Sequence, residues 1–215
     1  MKSLLVVRAG DDSLHGRWRT SELKDVDLMI SYYGNESNLY RDSCKLYHQG
    51  SGGPWSDGYA KALALHRHVL SEYDFVALAD DDLDAGSDVW QRLFDVCCRN
   101  GLELAHPAIT TNAPSREFEP VSGCEMRYSD RSDVICPVFS RDALSKVVES
   151  FAFTRTGWGL PIVWKKLLPE TKVGIVDSAP VEHTRSFGTG ALYKTMSRLS
   201  LRVEQMRLQS RYGLL

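Results

Sequence analysis

The chain reads as an α/β domain with a mostly parallel central sheet flanked by helices and an amphipathic helix at its C-terminal end. Three observations predict this. Short apolar runs rich in β-formers recur at residues 4–7, 28–33, 75–79, 134–139 and 173–176, each bounded by polar or turn residues, as buried strands of a parallel sheet require. Segments with helical spacing lie between several of them, at 56–70, 87–97, 141–149 and 162–168. At 215 residues, 43% hydrophobic and 25% charged, the composition suits one folded domain with a sizeable core.

Taken in order, residues 2–8 form a first strand that opens into the turn-prone Ala9-Gly10-Asp11-Asp12-Ser13, and residues 27–33 form a second, ended by Gly34-Asn35. Residues 36–42 read as loop, and Gln49-Gly50-Ser51-Gly52-Gly53-Pro54-Trp55 reads as a flexible turn. Its glycines tempt a phosphate-cradle reading, but it lacks the Lys-Ser/Thr of a P-loop and does not give G-x-G-x-x-G. Tyr59, Leu63, His66 and Leu70 share a helical face with Ser56 as N-cap, and His66 and His68, two apart, point in different directions. Ser87 or Asp88 caps the next helix, which Asn100-Gly101 closes. Residues 103–110 are a strand interrupted by Pro107, and residues 111–131 are the longest irregular stretch, the type of segment that serves as a lid or binding loop. Ser140 caps a helix over 141–149, Gly157-Trp158-Gly159-Leu160-Pro161 opens another, and residues 172–177 are a last strand.

Bulk charge excludes one class of partner. The net charge of −2 and pI near 6.3 give no global electrostatic reason to bind nucleic acid. No stretch approaches the roughly 18 to 20 consecutive apolar residues of a membrane span, and residues 1–8 show no signal-peptide pattern, so the expectation is a cytoplasmic protein. The odd count of five cysteines, with no C-x-x-C spacing, reads as reduced structural thiols.

The chemistry concentrates where the apolar run 75–79 ends in Asp80-Asp81-Asp82-Leu83-Asp84. In open α/β sheets ligands bind beyond the carboxyl ends of strands, and crowded carboxylates stay ionised most easily around a divalent cation. A calcium loop would need glycine where Ala85 stands and a bidentate acid where Gln91 stands. A phosphoaspartate enzyme would need Lys and Ser/Thr elements that are absent in recognisable order. A D-x-D pair, Asp80 and Asp82, holding Mn²⁺ or Mg²⁺ against a nucleoside diphosphate fits the spacing.

Tyr73-Asp74-Phe75 through Leu83 resembles the D-x-D strand of GT-A-fold glycosyltransferases, whose nucleotide-binding sheet is Rossmann-like. Gly101-Leu102-Glu103-Leu104-Ala105-His106-Pro107-Ala108, Pro137-Val138-Phe139-Ser140-Arg141, Gly157-Trp158-Gly159-Leu160 and Val173-Gly174-Ile175-Val176-Asp177-Ser178 with His183 resemble an uncharacterised glycosyltransferase-like family of plants and bacteria, over roughly residues 55–183. The resemblance implies transfer of a sugar from a nucleotide-sugar donor to a glycan or other hydroxyl acceptor, as in polysaccharide biosynthesis. It implies Asp80 on the ribose or metal, Asp82 on the metal and His183 as a late metal ligand, with Lys61 or Arg185 assisting at the diphosphate. Arg8, Asp11 and Asp12, after the first strand, are placed at the base and ribose by position alone.

Pro161 stands where the resembled family has an acid, so an inverting mechanism needs an acceptor base from elsewhere, Asp133 first and Asp177 second, whereas a retaining one needs none. Trp158 is a candidate acceptor-sugar platform or a core residue. The same fold without catalysis would make a glycan- or protein-binding module, the alternative that Pro161 favours. Residues 1–190 are expected to form the catalytic domain and 191–215 a basic helix with Leu192, Met196, Leu199, Val203 and Met206 as its seam. Lys194, Arg198, Arg202, Arg207 and Arg211 surround that seam, which leaves three readings: peripheral contact with an acidic membrane, pairing with another helix, or covering the sheet.

Overall fold

The computed structural model describes residues 1–169, 171–186, 189 and 197–215. Strands β1 (Ser3–Ala9), β2 (Val26–Tyr32), β3 (Leu46–Gln49), β4 (Phe75–Asp80), β5 (Leu83–Asp84), β6 (Leu104–Ile109), β7 (Arg127–Ser129), β8 (Val138–Ser140) and β9 (Val173–His183) form one sheet. Helices α1 (Lys61–Leu65), α2 (Arg67–Leu70), α3 (Ser87–Arg99), α4 (Arg141–Val147), α5 (Leu160–Leu167) and α6 (Arg198–Arg211) flank it. The strand order is β3-β2-β1-β4-β8-β6-β9-β5, with β7 also on β9. The long pairings, β1 with β2 and β4 and β6 with β9, are parallel, and the short β8 joins the two parallel halves by antiparallel pairing on both sides.

Alternation along the strands divides the core between two faces, because successive side chains of a strand point to opposite sides. Leu4, Val6, Val76 and Leu78 pack with Leu63, Leu144, Trp164 and Leu208 on one face. Leu5, Val7, Ala77 and Ala79 pack with Trp90, Leu93 and Phe94 of α3 on the other. β4 is buried from Phe75 to Ala79 and reaches partial exposure at its last residue, Asp80.

Three strands escape sequence reading, each for a local reason. β3 is a half-exposed edge strand that ends in His48 and Gln49, β7 sits inside the polar 111–131 stretch, and β5 has two residues and forms only because β9 pairs with it. The expected strand over 134–139 narrows to Val138–Ser140, since Pro137 has no N–H to give a ladder. Residues 135 and 137 still run beside β4, their carbonyl oxygens accepting from Asp80 N (3.2 Å) and Leu78 N (2.9 Å). The helix expected to start at Ser56 begins earlier, as a π-helical turn over Pro54–Ala60 capped by Gly53, with proline in the first turn where its missing N–H costs nothing. Gly86, not Ser87 or Asp88, occupies the cap of α3. Ser140 caps α4 as expected, its hydroxyl accepting from Ala143 N at 3.2 Å.

The C-terminal helix reverses its expected face. Leu201 and Leu208 are buried, whereas Leu199 (71% exposed), Val203 (37%) and Met206 (55%) of the expected seam face outward. Leu192, Lys194, Met196 and the 190/191 boundary lie outside the described residues. All five cysteines are free thiols.

Two buried histidines give the fold a pH signature. Burial holds His106 on β6 down to about 3 and His15 down to about 4, from an ordinary value of 6.5. Both are therefore neutral in the folded protein and charged in the unfolded chain below pH 6.5, so their contribution is full above that pH and is lost as pH falls toward the folded values. Burial raises the proton affinity of Asp80, Asp81 and Asp133, which acts in the opposite direction, so the histidine effect is best read by difference. Urea unfolding between pH 6.5 and 4 should show a stability loss in the wild type steeper than in His106→Gln by about 1.4 kcal/mol per pH unit. Parallel slopes would mean that His106 is not buried neutral.

Candidate functional site

A cleft of about 920 Å³ opens at the carboxyl ends of β1 and β4, within the range of small-molecule sites. Its floor is Asp80-Asp81-Asp82. Arg8, Tyr33, Gly52, Asn112, Asp133, His183 and Arg185 line it around that floor, and residues 155–159, Pro161 and Gln205 complete its rim.

The three consecutive aspartates have different surroundings. Asp81, the middle one, is 5% exposed and built into the fold: its Oδ2 accepts from Gly10 N (2.7 Å) and Tyr33 Oη (2.9 Å), and its Oδ1 from Arg185 Nη1 (3.3 Å). Burial raises its proton affinity, and those donors work against the rise. Asp82 is 8% exposed, with Oδ2 3.5 Å from His183 Nε2 and 3.9 Å from Arg185 Nε. Its Oδ1 is buried with no hydrogen-bond partner. Asp80 is held well above the usual carboxylate range by burial and then by the charges of Asp82, Asp81 and Asp133, with Arg185 opposing.

The β5–β9 pairing brings His183 to these acids. Leu83 is in register with His183, and Thr184 donates from both N (3.0 Å) and Oγ1 (2.8 Å) to the Asp82 carbonyl. The sequence places His183 after the last strand; it is in fact that strand's final residue. Its Nδ1 lies 3.3 Å from the Asn112 carbonyl oxygen, while Asn112 Nδ2 donates to the His183 carbonyl at 2.8 Å. This pins the ring and leaves Nε2 as the atom turned to Asp82. Burial pulls the proton affinity of His183 down, but Asp82 beside it prevails and the net shift is upward.

Among the described residues no three His, Cys, Asp or Glu side chains gather as a ready-made metal cage. The donor set nevertheless fits a hard divalent cation. Asp82 has an orphaned buried oxygen, His183 presents Nε2 beside it, and Asp80 feels the charge of Asp82. One or two carboxylates completed by substrate phosphates is how Mg²⁺-type ions are usually held.

Of the remaining expected residues, four line the cleft. Arg8 is buried and clamps the glycine-rich turn, donating from Nη2 to Gly50 O (2.9 Å) and Gly52 O (3.4 Å) and from Nη1 to Ser31 Oγ (3.0 Å). Gly58 is required beside it, because a Cβ there would lie 2.6 Å from Arg8 Cδ. Arg185, Trp158 and Asp133 also line the cleft. Asp133 Oδ1 accepts from Ile135 N (3.0 Å), and burial raises its proton affinity. Behind it His106 Nε2 receives Ser132 Oγ (3.1 Å) and Asp133 N (3.4 Å), an arrangement that the deprotonated ring nitrogen allows.

Four expected residues lie elsewhere. Asp177 is turned away from the cleft, its Oδ1 accepting from Val121 N (2.9 Å) and its Oδ2 3.2 Å from Arg127 Nε, so it secures the loop before β7. Lys61 is exposed and paired with Asp57 at 2.7 Å. Asp11 bonds the Tyr32 hydroxyl and Asn35 N, closing the turn after β2, and Asp12 is exposed beside it. Sequence reading omitted Asp81, Tyr33, Asn112 and Gln205. A D-x-D pattern skips its own middle residue, and only the β9 register exposes Asn112.

The far rim depends on α6. Glu204 Oε1 accepts from Thr156 N (2.8 Å), Thr156 Oγ1 (2.7 Å) and Thr154 Oγ1, which fixes the turn carrying Gly157-Trp158-Gly159. Gly159, at φ +94°, sits under Gln205, whose Cγ a Cβ would meet at 3.1 Å.

No family model matches the chain, and no curated protein matches it. Solved structures do. The GalNAc-T7 structure with UDP, GalNAc and Mn²⁺ superposes with a TM-score of 0.60 at 10% identity, over 99% of this chain and 50% of that one. The structure of Staphylococcus aureus TarS residues 1–349 in complex with UDP gives 0.64 at 12% identity, over all of this chain and 66% of that one. At these identities the likeness establishes the GT-A fold, and the chain spans about half to two thirds of the length of these neighbours.

The contrast between Asp81 and Asp12 tests this description. Asp81→Ala removes the acceptor shared by Gly10, Tyr33 and Arg185 and should lower unfolding free energy by about 3 kcal/mol, the cost of stranding buried donors. Asp12→Ala should leave the urea midpoint where it is. Equal midpoints for the two variants would show that Asp81 does not bind the loops together.

Proposed function

We propose that the chain is a glycosyltransferase that moves a sugar from a nucleotide-diphosphate sugar to a hydroxyl of a glycan or other acceptor, using Mn²⁺ or Mg²⁺. The observation that carries this reading is the pairing of Asp82 with His183 beside Asp80, with an unpartnered Asp82 oxygen, at the strand ends of a GT-A fold. UDP in both structural neighbours and Mn²⁺ in one support the choice of donor and cation by analogy of fold.

In this reading Asp82 and His183 hold the cation and Asp80 holds cation or ribose. When bound, the cation offsets the charge that builds on the β-phosphate as the anomeric C–O bond breaks. Arg185, between Asp81 and Asp82, adds a guanidinium at the diphosphate, and the Arg8-clamped 50–52 turn with Tyr33 walls the nucleotide side. Asp133 is the proton acceptor for the attacking hydroxyl if configuration is inverted. The acceptor oxygen bonds to the anomeric carbon, its proton passes to Asp133, and the nucleoside diphosphate leaves. A raised proton affinity in a cleft suits a general base. Trp158 and Gln205 form the acceptor rim, where an indole face suits sugar C–H surfaces.

One observation favours a second reading, a catalytically silent glycan- or protein-binding module on the same fold: Pro161, not an acid, faces the cleft after Gly159-Leu160. Turnover separates the two: a nucleotide-sugar donor is consumed with Mn²⁺ in the first and not in the second, and Asp133→Asn abolishes transfer where configuration is inverted.

Mn²⁺ and UDP together should raise the melting temperature by about 5–10 °C at a hundredfold excess over Kd, more than the sum of either alone. Asp82→Asn should remove the metal-dependent part and keep the unliganded melting temperature within a few degrees. Absence of any shift across UDP, GDP, CDP and their sugars would sink the transferase reading. A shift that persists in Asp82→Asn would move the cation elsewhere.

A further inference from the structure

Helix α6 carries two apolar stripes, and the fold uses only one. At roughly 100° per residue, Leu201, Glu204, Gln205, Leu208 and Tyr212 share the inner side, where α6 packs on α5 and the cleft rim. Leu199, Val203 and Met206 fall on the diametrically opposite side, all exposed. Arg198 and Arg202 lie along one margin of that outer stripe, and Arg207 and Arg211 along the other, all four exposed. Glu204 is the sole acid of α6, and it is turned inward onto Thr154 and Thr156. Arg198 stands in the first turn, which holds no acid, so it opposes the helix dipole and is not placed there to stabilise the helix. Beside α6, Phe153 is exposed, and Arg211 stacks over it with its guanidinium carbon 3.5 Å from the ring centre.

We infer that the outer face of α6 lies in the surface of an anionic lipid bilayer, with Leu199, Val203 and Met206 among the acyl-chain ends and the four arginines at the headgroups. An apolar stripe edged by cations on both sides is the pattern of an interfacial helix, where apolar burial and attraction to anionic lipid act together. The charge arrangement selects this occupant over others. A second copy of the chain would bring arginines against arginines across a two-fold axis with no acid on the outer side of α6 to pair them. A nucleic-acid backbone would leave the central apolar stripe without a partner. Among the described residues no helix is long and apolar enough to cross a membrane, so α6 lies on the surface and does not span. The inner face of the same helix holds the rim with Trp158 and contributes Gln205 to the cleft, so docking sets the cleft mouth beside the bilayer. The inference does not depend on the transfer chemistry.

Co-sedimentation of the full chain with vesicles tests it. Phosphatidylcholine vesicles with roughly a third phosphatidylglycerol should bind the protein, and pure phosphatidylcholine should bind it far less. Arg202→Glu with Arg207→Glu should lower the partition coefficient by at least about thirtyfold, and raised salt should mimic the change. Leu199→Ser with Met206→Ser should also release the protein, which a purely electrostatic attraction would not show. All four positions are exposed, so the melting temperature of each variant should match the wild type, and the Mn²⁺ and UDP shift, measured on the same samples, reports the nucleotide site separately. Equal binding to both vesicle types, or none to either, would overturn the inference. So would a dimer in lipid-free solution that Leu199→Ser with Met206→Ser dissolves.

Discussion

Four carboxylates, Asp80, Asp81, Asp82 and Asp133, converge at one end of β4, and the rest of the molecule is arranged around that repulsion. Burial deepens the cost, because a low-dielectric floor disfavours every charge placed on it. Each acid finds a different remedy. Asp81 is satisfied by a backbone N–H, a phenol and a guanidinium from three separate segments. Asp133 takes the N–H of Ile135, Asp82 shares His183, and Asp80 has only the distant opposition of Arg185. The acids least satisfied by protein, Asp80 and the Oδ1 side of Asp82, are those that a cation would complete, while Asp81 is already complete and serves the fold.

This division explains why β9 is long. A strand that ended near Asp177 would finish the sheet, but it would leave the acids without a facing base. Its continuation to His183 lets β5 pair with it, sets Thr184 on the Asp82 carbonyl and delivers Arg185 between Asp81 and Asp82. The two-residue β5 is thus a clamp whose function is electrostatic: it holds the positive groups of the β9 end within reach of the negative end of β4. The glycine-rich turn follows the same logic with a single residue. Buried Arg8, which cannot shed its charge, gathers the carbonyls of Gly50 and Gly52, and a turn that its composition marks as flexible becomes fixed.

The sheet was legible wherever strands were buried on both faces, since β1, β2, β4 and β9 announce themselves as apolar runs ended by turn residues. Strands that exist because a neighbour pairs with them, β3, β5 and β7, carry no such mark. That Asp80, Asp82 and His183 meet at one end of the sheet was legible because strand ends predict where side chains converge. Asp11 and Asp12, expected there by the same rule, do not line the cleft, for position after a strand says nothing of which way a loop turns: Asp11 turns to Tyr32 and closes a neighbouring turn. The face of α6 was misread because two apolar stripes compete on it, and periodicity alone favours the one with more residues, whereas Leu201 and Leu208 are the ones buried, Leu208 in the cluster that holds Trp164.

The acceptor side of the cleft illustrates how a missing residue is judged from its surroundings. Pro161 in the first turn of α5 removes any acid at that point, and its ring suits a helix start that Gly159, held at positive φ under Gln205, makes abrupt. Yet the cleft does not lack an acid there, because Asp133 faces it from the β6–β8 side, held by the N–H of Ile135 and backed by a neutral His106 that receives its amide. A histidine kept neutral by burial is a better support for that carboxylate than a charged one, since a cation at that distance would hold Asp133 ionised and weaken it as a proton acceptor. In the proposed reaction Asp133 would stand in for the acid that Pro161 displaces, and burial moves its proton affinity upward.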